Sequence, residues 1–143
     1  MKKALSQNKY KLVGLDTNIF IYHFRNDPQF MDKTDLIFKF LEDRRVRAVT
    51  SIITIAELQA FRAPEKVLQD IRESFLSTPN LITVDVNQEI ALASAEIRRE
   101  YKFALADAIQ LATAIDAKAQ TFITNDKRLK LFKRLPVTLL TEI

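Results

Sequence analysis

Leu12-Val13-Gly14-Leu15-Asp16-Thr17-Asn18 is a short apolar run that stops on a carboxylate, followed by two more residues that cap helices well. The run reads as a buried strand, and Asp-Thr-Asn at its end as the start of a helix. The pattern recurs along the chain. Lys11–Leu15, Arg47–Thr50, Leu81–Val84, Thr121–Ile123 and Val137–Leu140 read as strands. Helical spacing fills the segments Asn18–Phe24, Met31–Asp43, Ile52–Phe61, Glu65–Leu76, Gln88–Tyr101 and Leu105–Ala117. Ser51 is the expected N-cap of the third helix, Pro64 suits the first turn of the fourth, and Thr78-Pro79-Asn80 breaks the chain before the third strand. Alternating strands and helices predict a parallel sheet with helices on both faces, hence an α/β fold. Without an internal repeat or linker, residues 1–143 read as a single domain.

Composition narrows the chemistry. The 143 residues contain no cysteine and one histidine, His23, so thiolate sites and multi-histidine metal centres are excluded. Any resident metal must be held by oxygen, which selects magnesium, manganese or calcium. The lack of cysteine fits a reducing cytosol. No uncharged apolar run reaches the roughly 18–20 residues that span a bilayer. Met1-Lys2-Lys3 resembles the start of a signal peptide, but the polar Ser6-Gln7-Asn8-Lys9 follows where an apolar core belongs, so a cytoplasmic protein is expected. The net charge is +4. Basic residues cluster at Lys2, Lys3, Lys9 and Lys11, at Arg44, Arg45 and Arg47, and at Lys127, Arg128, Lys130, Lys133 and Arg134. Such an excess is compatible with nucleic acid and equally with solvated surface. With Gly14 as the only glycine, few strained turns and much helix are expected.

Four carboxylates stand out. Asp16 and Asp126 each follow a strand, and in a parallel sheet both project from the edge where ligands bind. Taken singly, Asp16 reads as a helix cap and Asp126 as a polar loop residue. Glu57 has Ile53, Ala60 and Phe61 among its helical neighbours, which puts its charge at or beside a buried stripe and calls for a cationic partner. Asp107 opens the run Asp107-Ala108-Ile109-Gln110-Leu111-Ala112, where the helix dipole alone favours an acid. Asp116 lies about 900° of helical rotation further on and faces the other way. Asp85, which also ends a strand, reads as a turn residue. Brought into one cleft, Asp16, Glu57, Asp107 and Asp126 would repel one another unless a divalent cation neutralised them. An aspartyl-phosphate enzyme of the haloacid-dehalogenase type would need a second Asp two residues after Asp16, where this chain has Asn18.

Val13-Gly14-Leu15-Asp16-Thr17-Asn18, Thr54-Ile55-Ala56-Glu57-Leu58, Ala106-Asp107-Ala108-Ile109-Gln110-Leu111-Ala112-Thr113-Ala114 and Thr124-Asn125-Asp126 occur in an order that resembles the PIN-domain ribonucleases, in particular the toxin subunit of VapBC toxin–antitoxin systems. The resemblance runs from about Lys11 to Leu140. It implies a three-layer α/β/α sandwich with a central parallel sheet of about five strands, and magnesium- or manganese-dependent cleavage of single-stranded or structured RNA. It makes Asp16, Glu57, Asp107 and Asp126 the metal ligands or water-positioning carboxylates. Thr17, Asn18 and Thr124 become supporting hydrogen-bonders, and Lys127 and Arg128 candidate RNA contacts. It further implies a cognate antitoxin and often a homodimer. The alternative is a PIN-fold RNA-binding module that has lost its activity or serves regulation.

Overall fold

The computed structural model describes residues 9–143; Lys2, Lys3 and the signal-like start of the chain lie outside that range. Five parallel strands form one sheet: β1 (Leu12–Leu15), β2 (Arg47–Ser51), β3 (Leu81–Val84), β4 (Thr121–Thr124) and β5 (Val137–Leu139), in the order β3-β2-β1-β4-β5. Helices α1 (Thr17–Phe24) and α2 (Met31–Glu42) connect β1 to β2. Helices α3 (Ile53–Leu58) and α4 (Glu65–Leu76) connect β2 to β3, and α5 (Gln88–Tyr101) and α6 (Leu105–Asp116) connect β3 to β4.

Strand alternation sorts the side chains into two cores. Val13, Leu15, Ala48 and Ile123 join Phe20, Ile37, Leu41, Ile71 and Phe75 on one face. Val49, Phe122 and Val137 join Ile90, Ile97, Ile109 and Leu111 of α5 and α6 on the other. The result is the expected three-layer sandwich. Gly14 belongs to its tightest seam. A Cβ there would come within 2.8 Å of the Phe122 ring and 2.9 Å of the Ala114 methyl, so β1 and α6 approach as they do only because position 14 has no side chain.

Four expectations need correcting. The chain poor in glycine is not poor in special backbone: Asn26, Arg44, Asn80, Lys102 and Lys118 all take positive φ, with Lys102 at the left-handed C-cap of α5. The third helix is shorter than its pattern and stops at Leu58. There Gln59 turns the chain toward α4, donating to the Leu68 carbonyl and accepting from Arg72. Pro64 stands just before α4, at its N-cap, rather than in its first turn. Finally, Ser51 remains in β2 and Ile52 occupies the cap position of α3, although the Ser51 hydroxyl still accepts from the Ile53 N–H at 3.3 Å.

The connections determine where ligands can enter. From β1 the chain steps outward to β2 and β3, then crosses back to place β4 on the other side of β1. The switch between β1 and β4 opens a crevice at the carboxyl ends of those two strands. Leu15 pairs with Ile123 there, and the Asp16 N–H donates to the Ile123 carbonyl at 3.0 Å.

Candidate functional site

Asp16 stands at the mouth of that crevice as the N-cap of α1, so its capping role is real. One carboxylate oxygen accepts from the Thr17 N–H at 2.9 Å. The other accepts from the Thr124 hydroxyl at 2.6 Å, with the Asn18 amide at 3.5 Å. Thr124 accepts in turn from the Asp126 N–H at 3.0 Å, and the Asn125 N–H donates to Asn18. The ends of β1 and β4 are thus stitched together by neutral donors. Asp16 is only 6% exposed and, among the described residues, meets no basic side chain. Burial pushes its carboxyl up to about 6; the Thr124 and Thr17 bonds oppose the rise, and the charges of Asp107 and Glu57 add to it.

Glu57 departs from expectation. It is exposed rather than set beside a buried stripe, because the short α3 turns that face outward. Its carboxylate still reaches the crevice, accepting from the Thr17 hydroxyl at 2.6 Å. Behind Thr17 lies a polar network that inspection of the four carboxylates alone had missed. Gln110, 2% exposed on α6, donates to the Thr54 hydroxyl at 2.8 Å and lies 3.3 Å from Thr17 Oγ1. Its carbonyl accepts from the Ser51 N–H at 3.1 Å. Thr50 has one hydroxyl proton, and its shorter contact to a carbonyl is with Leu15 at 2.9 Å. Thr54 must therefore donate to Thr50 at 2.8 Å, which directs the chain of bonds from Gln110 through Thr54 and Thr50 to β1. The missed signal was an amide inside an apolar helix, three residues after Asp107 and so on nearly the same face.

Asp107 lies in the first turn of α6 and is partly buried. Burial raises its pKa, as do the charges of Asp126 and Glu57, while Arg128 opposes them. Asp126 caps a 3₁₀ turn, Lys127–Leu131, that the sequence pattern did not suggest. Leu129 anchors this turn in the core and leaves Lys127 and Arg128 exposed. The Arg128 guanidinium grips Asp126 with two parallel contacts, Nε to Oδ1 at 3.0 Å and Nη2 to Oδ2 at 2.6 Å, and reaches Asp107 Oδ2 at 3.7 Å. The bonds from Arg128 hold the Asp126 carboxyl below the usual range. Asp116 ends α6, roughly 14 Å along the helix from Asp107, and Asp85 yields the capping of α5 to Asn87.

All four expected carboxylates therefore line one crevice or its rim, with Thr17, Asn18 and Thr124 between them. They do not converge equally. Among the described residues, no three acidic or histidine side chains form a ready ligand set, because Thr17 holds Glu57 and Arg128 holds Asp126. Chemically the donors suit a hard divalent cation: they are all oxygen, and the buried Asp16 carboxylate has no cationic partner among the described residues. A groove of about 660 Å³ runs beside the carboxylates, lined by Asn18, Tyr22, Phe30, Asn125, Lys127 and Arg128 among others. Among the described residues no helix is long and apolar enough to cross a membrane.

Comparison with known proteins agrees with the fold. No curated protein matched the chain by sequence at a significant level. The VapBC2 complex of Rickettsia felis bound to a DNA fragment from its promoter superposes with a TM-score of 0.69 at 23% identity, over 90% of this chain and 98% of that one. A toxin–antitoxin complex from Klebsiella pneumoniae gives 0.66 at 28% identity, over 92% and 99%. The VapBC-1 complex of nontypeable Haemophilus influenzae gives 0.63 at 24%, over 91% and 98%. Since a sequence description of the PIN domain matches residues 13–136, which hold four of the five strands and both helical layers, the chain belongs to the PIN-domain family.

Proposed function

We propose that the protein is a magnesium- or manganese-dependent endoribonuclease and the toxin of a toxin–antitoxin pair. One observation carries the reading. Asp16, Glu57, Asp107 and Asp126, from four separate segments, meet at the switch-point crevice, where Asp16 is buried without a counter-charge. Asp16 and Asp107 would be the principal ligands of the cation, with Glu57 and Asp126 completing or orienting its surroundings. The bound ion supplies charge neutralisation at the scissile phosphate and a more acidic water. The chain's own residues do the rest. Thr124 and the Thr17 N–H orient Asp16, and the Gln110–Thr54 network holds Thr17 against Glu57. Glu57, exposed and bonded only to a hydroxyl, is the carboxylate best placed to accept a proton from water. Lys127 and Arg128 flank the crevice on the solvent side and suit the phosphates of an RNA strand.

An antitoxin partner is supported by the structural relatives, which are toxin–antitoxin complexes. The grip of Arg128 on Asp126 favours one alternative, a PIN-fold module that binds RNA without hydrolysing it. Pooled cellular RNA incubated with the purified protein separates the two. Cleavage with manganese or magnesium, absent with EDTA and absent in Asp16→Asn and Asp107→Asn, is the expected result. Binding without cleavage supports the module, and equal cleavage by the wild type and both variants removes these residues from the mechanism.

A further inference from the structure

Arg128 carries more than a surface ion pair. Its guanidinium makes its hydrogen bonds with Asp126 and its second ion pair with Asp107, and its side chain is 73% exposed. The backbone beneath it is fixed, since Leu129 is buried and the Arg128 N–H itself donates to Asp126 at 3.0 Å. The anchored turn thus carries a long, solvated arm free to change rotamer. The carboxylate oxygens that this arm now takes are among those a divalent cation would take. Two such positive groups on one carboxylate pair repel at short range, so occupancy by one disfavours the other. Arg128 also lines the groove beside the crevice together with Lys127 and Asn125, so a guanidinium released from Asp126 has an open groove beside it to enter. Its planar fork matches a phosphate as well as it matches a carboxylate.

We propose that Arg128 has two positions: the internal counter-ion of Asp126 and Asp107 without a divalent cation, and a ligand of an RNA phosphate in the adjacent groove once the cation holds those carboxylates. The inference rests on the nuclease reading of the crevice. It couples substrate binding to metal binding through one side chain, because each event vacates what the other needs. Arg128 acts here as a positioning residue for RNA, and the cation is admitted at the expense of its ion pair.

The test measures binding. Manganese is titrated calorimetrically into EDTA-stripped wild type, Arg128→Ala and Lys127→Ala, without RNA. Arg128→Ala is expected to bind manganese about three- to tenfold more tightly. Lys127→Ala, which removes a neighbouring charge that has no carboxylate partner in the crevice, should leave that affinity near wild type. Binding of a fluorescent single-stranded RNA carrying non-hydrolysable linkages is then followed with manganese and with EDTA. Arg128→Ala should lose more RNA affinity with manganese than with EDTA. Unchanged or weaker manganese binding in Arg128→Ala overturns the proposal, as does an equal loss of RNA affinity in both conditions. Tightening of the same size in Lys127→Ala also overturns it, by reducing the effect to long-range charge. A wild type that neither binds manganese nor cleaves RNA defeats the nuclease reading and this inference together. A wild type that does both, beside an Arg128→Ala of unaltered manganese affinity, defeats the inference alone.

Discussion

The two halves of the crevice solve the same electrostatic problem in opposite ways. On the β1 side, Asp16 is buried and surrounded by hydroxyl, amide and backbone donors, and it carries its charge at the cost of a raised pKa. On the far side of β4, Asp126 is 23% exposed and holds its charge easily because Arg128 embraces it. The first half is rigid and electrostatically unsatisfied; the second is satisfied and adaptable. A rigid, uncompensated carboxylate is what a cation needs as its first anchor, and an ion-paired one is what can be exchanged.

Catalysis should show this difference most strongly. Asp16→Asn is expected to lower single-turnover RNA cleavage with manganese by about a thousandfold or more, as removal of a principal charge-bearing group does. Asp126→Asn should cost only about tenfold to a hundredfold, the range of a supporting group. Equal losses would mean that the two halves contribute alike to the chemistry.

Stability should separate the halves next. Gln110→Ala leaves the Ser51 N–H and the Thr54 hydroxyl without their buried partner and opens a void between α6 and β2. A loss of roughly 2–4 kcal/mol in urea-induced unfolding follows. Gln110→Glu keeps the shape but places a charge in the network, and it should be no better tolerated. Wild-type stability in Gln110→Ala would deny that the buried half is held by this network.

A pH series reads the charge on Asp16 directly. Its carboxyl is raised from 3.8 to about 6, so the folded state favours the protonated form. The contribution is fully present below pH 3.8 and is lost as pH rises toward about 6. Asp16→Asn preserves a helix-capping oxygen while removing the charge. Without divalent cations it should therefore exceed the wild type by up to roughly 3 kcal/mol above pH 6, with the advantage fading toward pH 4. Saturating manganese should narrow the gap from the other side by stabilising the wild type. A pH-independent difference between the two proteins would show that Asp16 is not the strained charge of the site.

These contrasts also mark what could be read in the sequence. The strand pattern and its order were legible because the central strands β1 and β4 are buried on both faces and read as apolar runs, while the edge strand β3 still carries Leu81, Ile82 and Val84. Asp16 and Asp126 were legible because a parallel sheet presents strand ends on one edge. The exposure of Glu57 was not, since helical neighbours describe a full helix and α3 ends at Leu58, one residue after it. The Gln110 network depends on Thr17, Thr50 and Thr54, which are spread over three elements whose mutual placement no local pattern encodes. Arg128 read as a phosphate contact because its partner is two residues away through a 3₁₀ turn. Such a turn has too few residues to leave a period.

The smallest effect expected is the most informative about that last residue. Arg128→Ala removes the cation that pairs with Asp126 and Asp107, yet its ion pairs are exposed and screened. Asp126 also keeps the Arg128 N–H as a donor whatever the side chain. Thermal unfolding at low and at high salt should therefore place the variant on the wild type. A drop approaching that of Gln110→Ala would make the Asp126–Arg128 pair a structural clasp, and the open half would then be as rigid as the buried one. Unchanged unfolding beside altered manganese and RNA affinities would assign the pair to binding rather than to the fold. An arm that stabilises nothing is free to move.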